Sequence, residues 1–147
     1  MKGPLKTRQR VLRVRHVQHA MAVAETARAR DEADGIERNA DRLRKVRSDL
    51  FSNPGMATGA NFAAMQELAG RLELAGRLEQ AGRQLDGALY DARRKVEVKE
   101  GLSQVANRDR EIAEKLKDRA RADLEEWREN KLAALPRYRR MQRTGGV

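Results

Sequence analysis

Ser52-Asn53-Pro54-Gly55 is the one strong break in a chain that is otherwise free to be helical. Asn and Gly tolerate left-handed backbone, and Pro has no amide hydrogen with which to continue a helix. The residue before Pro is also pushed out of the α region. The other two prolines, Pro4 and Pro136, stand close to the two ends of the sequence. Working outward from the break, the residues predict one helix over about 5–51, a turn over about 52–60, a second helix over about 61–135 and a basic tail over 136–147. Thr58 or Asn61 is placed to cap the second helix, and Pro136 to end it.

Composition supports helices that do not close into a globule. Charged residues are 37% of the 147 and aromatics 3%, so the large side chains that anchor a compact core are scarce. Two helices joined by a short break pack antiparallel. The fold class expected for residues 1–147 is therefore all-α: a single long antiparallel two-helix coiled-coil hairpin with a longer second helix.

Large apolar residues at helical spacing mark the expected seam. In the first helix they form two stretches, Val14, Val17, Met21 and Ala24, then Ile36, Leu43, Val46 and Leu50. The stretches are out of phase, with Arg28, Asp31 and Asn39 between them, so a weakly held middle is expected there. In the second helix the candidates are Met65, Leu68, Leu72 and Ala75, then Leu85, Leu89, Ala92, Val96 and Leu102. Val105, Ile112, Leu116, Leu124 and Trp127 complete them. Mirror pairing about Met56 would set Val46 beside Gln66 and Leu5 near Asn107, leaving roughly 30 residues of the second helix, about 45 Å, unpaired.

The sequence Glu67-Leu68-Ala69-Gly70-Arg71-Leu72 recurs as Glu73-Leu74-Ala75-Gly76-Arg77-Leu78, with an echo at Ala81-Gly82-Arg83. Six residues turn a helix 240° past whole turns, so the repeated leucines do not share a face, and the repeat reads as a tolerated tandem duplication. Its glycines soften this quarter of the helix.

Little in the sequence offers chemistry. Cysteine is absent, which removes disulfides, thiol catalysis and cysteine-based zinc sites. His16 and His19 lie three apart beside Arg13 and Arg15 and read as a solvated helix face, so no metal is expected. No phosphate-loop, nucleophile-elbow or calcium-loop pattern occurs. Acidic neighbours such as Glu125-Glu126 point to different faces of a helix. No catalytic residue, cofactor or small-molecule substrate is expected. The N-terminus lacks an apolar secretory core, and no uncharged run is long enough to span a bilayer, so a cytoplasmic protein is expected.

The net charge of +10 is concentrated. Lys2, Lys6, Arg8, Arg10, Arg13 and Arg15 precede any acid, and Arg137, Arg139, Arg140 and Arg143 follow the last one. Together they account for the whole excess. The opposite feature is an uncharged run from Leu50 to Gln66 holding Phe51, Met56, Phe62 and Met65, read either as a turn closed by its own apolar plug or as a docking face.

The basic Leu5-Lys6-Thr7-Arg8-Gln9-Arg10-Val11-Leu12-Arg13-Val14-Arg15, the apolar-Gly turn near the first third, and a longer second helix ending in Trp127-Arg128-Glu129 and a basic tail resemble the FliJ family of flagellar type III export proteins, whose injectisome relatives include YscO. The resemblance spans nearly the whole chain, on loose motifs. It implies a non-enzymatic stalk/chaperone component of the flagellar export apparatus, cytoplasmic and peripherally associated with the membrane export apparatus. It also implies that Arg8, Arg10, Arg13, Arg15, Arg137, Arg139, Arg140 and Arg143 bind a hexameric flagellar export ATPase. Val46, Leu68, Leu72 and Ala75 would face an export-gate membrane protein or export chaperones. The tyrosines and long polar residues common on that face in the family are missing here. The alternative is a basic helical hairpin that binds nucleic acid or the ribosome, against which stands the scarcity of aromatic stacking residues in the basic ends, where Tyr138 is the one present. A third class is a purely structural oligomerising coiled coil.

Overall fold

The computed structural model describes residues 2–52 and 62–136, which form two α-helices: α1, Lys2–Phe51, and α2, Phe62–Ala133. No strand occurs among the described residues. The helices pack against each other as an antiparallel hairpin with the second the longer. α1 starts ahead of the expected residue 5, because Pro4 in a first turn forgoes only an amide that has no helical partner anyway. At the other end Ala134 N donates to Asn130 O and Leu135 N to Leu132 O, a tightened last turn before Pro136.

The seam is an unbroken heptad. On α1 half-buried or buried residues fall at Leu5, Leu12, His19, Thr26, Ala33 and Ala40, each seven after the last. A second set interleaves with them at Arg15, Ala22, Ala29, Ile36, Leu43 and Leu50. On α2 the same spacing runs from Arg71 through Leu78, Leu85, Ala92, Lys99, Ala106 and Ala113 to Ala120, and from Ala75 through Gly82, Leu89, Val96, Ser103, Arg110 and Lys117 to Leu124. A period of 3.5 is the mark of a coiled-coil seam.

This corrects the expected seam. Val14, Val17 and Met21 are exposed by 55%, 59% and 59%, and Leu68, Leu72, Leu102, Val105, Ile112 and Trp127 are also exposed. The middle of α1 keeps phase, because the seam there is made of Ala and Thr, while Arg28, Asp31 and Asn39 lie off it and are exposed. Six of the nine buried apolar residues are alanines. Small side chains let two backbones approach closely, and the buried Thr26 shows how closely. Its hydroxyl lies 2.9 Å from the Ala22 carbonyl of its own helix and 3.1 Å from the Lys99 carbonyl across the seam.

The chain divides into two compact units. A central unit is Ala22–Ser103; a terminal unit is formed by the segments that end at Met21 and begin at Gln104. The central unit pairs its charges across the seam along both edges. One edge carries Glu25 with Lys99 and Glu32 with Lys95. The other carries Arg30 with Glu100, Glu37 with Arg93 and Arg44 with Asp86, so the signs alternate along each helix. Arg47 meets Glu79. In the terminal unit the described residues show one cross-helix pair, Arg15 with Asp109 at 3.4 Å.

These pairs also correct the register. Arg47, not Val46's expected neighbour Gln66, marks the level, and it sits at Glu79. The last turn of α1 is level with Arg71, which donates from Nη1 to the Leu50 carbonyl at 3.3 Å. α1 has no basic residue in its own last turn, so Arg71 supplies the positive charge that unpaired end carbonyls favour. Mirror pairing assumed that contact starts at the turn; here Phe62–Gly70 precede it. Correspondingly the seam runs on to buried Leu124, leaving only Glu125–Ala133 beyond it and not the expected roughly 30 residues.

The repeat acquires a local role. Glu67 pairs with Arg71, Glu73 with Arg77 and Glu79 with Arg83, each four apart with the acid first, the better orientation on a helix. Every repeat thus closes its own turn and offsets part of its glycine's cost.

Candidate protein-docking surfaces

Residues 2–24 of α1 hold six basic side chains and no acid. Helix geometry does not ask for this: α1 has no acidic residue in its first turn, where the dipole favours one, and Lys2 and Lys6 stand near the positive end. Arg8, Arg10 and Arg13 are exposed and make no ion pair among the described residues. Arg15 differs. It is half-buried on the seam and bonds Gln18 at 3.0 Å and Asp109 at 3.4 Å, so it serves the fold. Arg137, Arg139, Arg140 and Arg143 lie outside the described residues, as does Met56.

The four residues expected on a gate-binding face divide. Val46, Leu68 and Leu72 are exposed by 49%, 43% and 56%. Ala75 is buried, because the heptad puts it on the seam four residues after Arg71, and it offers no surface. Val46 and Leu68 are not brought together, since α1 ends at the level of Arg71. The uncharged run has its apolar side chains outward where it is described: Phe51, Phe62 and Met65 are exposed by 54%, 78% and 68%. Leu50 is half-buried.

No family model, curated protein or solved structure matches the chain. Function is therefore argued from surfaces. Among the described residues no three His, Cys, Asp or Glu side chains gather as a metal would need, and His19 lies half-buried on the seam while His16 is exposed, a partial correction to a solvated pair. The Glu25 carboxyl is held below its ordinary range by the hydrogen bond and charge of Lys99, with Arg28 adding a little. That shift belongs to a structural ion pair and marks no catalytic group. A recess beside Gly82 is lined by Leu43, Leu78 and the paired charges Arg44, Arg47, Glu79, Arg83 and Asp86, and is open and salt-bridged. No helix of the described residues is long and apolar enough to cross a membrane.

One feature escaped the reading of the sequence. In the terminal unit, Val11, Val14 and Met21 on α1 and Val105 and Ile112 on α2 are exposed large apolar residues that the seam does not use. The signal was there: Val14 and Met21 are seven apart, as are Val105 and Ile112, and the stripe becomes visible once alanines are admitted to the seam.

Proposed function

We propose that this chain is a non-enzymatic coiled-coil stalk of a flagellar type III protein export apparatus, binding the hexameric export ATPase through its basic ends and an export gate or chaperone near the turn. The observation that supports it best is the acid-free segment from Lys2 to Ala24 in a hairpin whose central unit sets opposite charges against each other across the seam. Arg8, Arg10 and Arg13 stand out from a helix that gains nothing from them. They suit carboxylates of a ring lining, where guanidinium groups make forked bonds. The exposed Phe51, Phe62, Leu68 and Leu72 suit an apolar partner near the turn.

Reversing Arg8, Arg10 and Arg13 together to Glu tests the reading. Binding to the purified export ATPase, followed by surface plasmon resonance, should fall by at least about tenfold, and unmodified binding should weaken steeply with salt. Helix content by circular dichroism should not change. Intact ATPase binding together with lost retention on RNA would replace the stalk by a nucleic-acid hairpin.

A further inference from the structure

The unused apolar residues of the terminal unit share one edge of the helix pair. With Leu5, Leu12 and His19 as one row of the α1 seam and the row that begins at Arg15 as the other, Val11 borders the Arg15 row, and Val14 and Met21 lie next outward. On α2 Asp109 and Leu116 border the seam, with Val105 and Ile112 next outward. The 3.4 Å pair between Arg15 and Asp109 ties these two borders together. Val11, Val14, Met21, Val105, Ile112 and half-buried Leu116 therefore flank a single groove. The opposite edge carries Gln9, Arg13 and His16 on α1 with Asn107, Glu111 and Glu114 on α2, and is polar.

A two-helix coiled coil needs two apolar rows on each helix; a third row is what a helix shows when it packs against a further one. The rim of the groove says what that helix should carry. Arg10 on α1 and Arg108, Lys115 and Arg119 on α2 are exposed and make no ion pair among the described residues. A second copy would bring the same basic rim and a net charge of +10. The chain's own residues 137–147 have four arginines and no acid, and are likewise of the wrong sign.

We propose that this groove binds an acidic amphipathic helix of a partner protein, laid along α1 and α2 as a third helix. Aliphatic side chains at i, i+3, i+4 and i+7 enter between Val14 and Ile112, and flanking carboxylates meet Arg10, Arg108, Lys115 and Arg119. The inference does not depend on the stalk reading: the two surfaces share Arg10, but this one is tested at Val14 and Ile112, on a different edge from Arg13, and names no ATPase.

The probe is a labelled synthetic helix of about three heptads, with Leu and Ile on the seam rows and Glu on both flanks, titrated with the full chain by fluorescence anisotropy. Saturable one-to-one binding is expected. The double variant Val14→Asp, Ile112→Asp should bind at least about tenfold more weakly, with an unchanged thermal midpoint because both residues are exposed. A peptide of the same composition scrambled to destroy its apolar stripe should also bind at least about tenfold more weakly. Equal binding of the two peptides would reduce the groove to a charge effect and overturn the proposal, as would undiminished binding by the variant. Sedimentation equilibrium gives the remaining outcome: a dimer that Ile112→Asp turns into a monomer would make a second copy the occupant and end the proposal too.

Discussion

The central and terminal units are built on the same heptad yet treat their surfaces in opposite ways. In Ala22–Ser103 the most deeply buried seam residues are mostly alanine, and both flanking edges carry ion pairs from Glu25–Lys99 to Arg47–Glu79. Exposed apolar side chains remain there too, at Val23, Tyr90, Val98 and Leu102 as well as near the end of α1, so the contrast between the units lies in the pairing of charge across the seam. In the terminal unit the seam includes Leu5, Leu12 and Leu124, one cross-helix pair is present among the described residues, and both apolar and basic side chains remain uncommitted. A helix pair that leaves valines and arginines exposed along one edge, with one cross-helix ion pair among its described residues, is furnished for a partner. The difference teaches that in a coiled coil function is written in what the seam and its flanks do not consume.

The sharpest way to break this contrast is to enlarge the alanine seam. Ala29→Leu in the central unit should cost about 1–3 kcal/mol by overpacking. Val14→Leu in the terminal unit, at an exposed position, should stay within about 0.5 kcal/mol. Thermal unfolding followed by circular dichroism compares them directly. Equal effects would mean that the central helices are not in close contact.

A somewhat smaller effect of opposite sign sharpens the account of the glycine repeat. A Cβ added at Gly76 or Gly82 meets nothing within 4 Å, and both lie inside α2. Gly76→Ala and Gly82→Ala should each stabilise the chain by about 1 kcal/mol. Urea midpoints should rise in both. A loss at Gly82 would show that the recess beneath Arg44 and Glu79 has to stay open.

The smallest effect tests whether the flanking pairs of the central unit matter singly. The lowered Glu25 carboxyl contributes stability that is present above the ordinary carboxylate value and is lost as pH falls through the lowered folded one. The thermal midpoint of Glu25→Gln should therefore sit slightly below that of the unmodified chain at neutral pH, and the gap should close in acid. A gap that persists at low pH would assign the effect to packing and not to charge.

Some of this was legible in the residues themselves and some was not. Ser52-Asn53-Pro54-Gly55 and the scarcity of other breakers were enough to place both helices and their antiparallel arrangement, because backbone restrictions act locally. The seam was legible in part to a search for large apolar residues, which found Ile36, Leu43, Leu50, Leu85, Leu89, Val96 and Leu124 but not the small residues between them. Val14, Val17 and Met21 are the conspicuous side chains of α1, but Ala22, Thr26, Ala29 and Ala33 line the seam, since close backbone approach favours what is small. Register was missed for a related reason: it depends on which charges meet across the seam, and Arg71 reaching the Leu50 carbonyl cannot be read from helix lengths. The unpaired character of Arg8, Arg10 and Arg13 followed from their acid-free neighbourhood, whereas the structural duty of Arg15 needed the position of Asp109.

The alternating pairs Arg30–Glu100, Glu37–Arg93 and Arg44–Asp86 have one more consequence. Where the seam is made of small side chains, as at Ala22, Thr26, Ala29 and Ala33, packing distinguishes a shift of seven residues only weakly. Charge does distinguish such a shift. Sliding one helix by a heptad in one direction sets Arg30 against Arg93 and Glu37 against Asp86; in the other it sets Glu37 against Glu100 and Arg44 against Arg93. A slip of one heptad in either direction therefore meets two like-sign contacts on this edge, which makes the edge a check on alignment. Longer slips are set against features that occur once, among them the Thr26 hydroxyl against the Lys99 carbonyl and Arg71 at the end of α1.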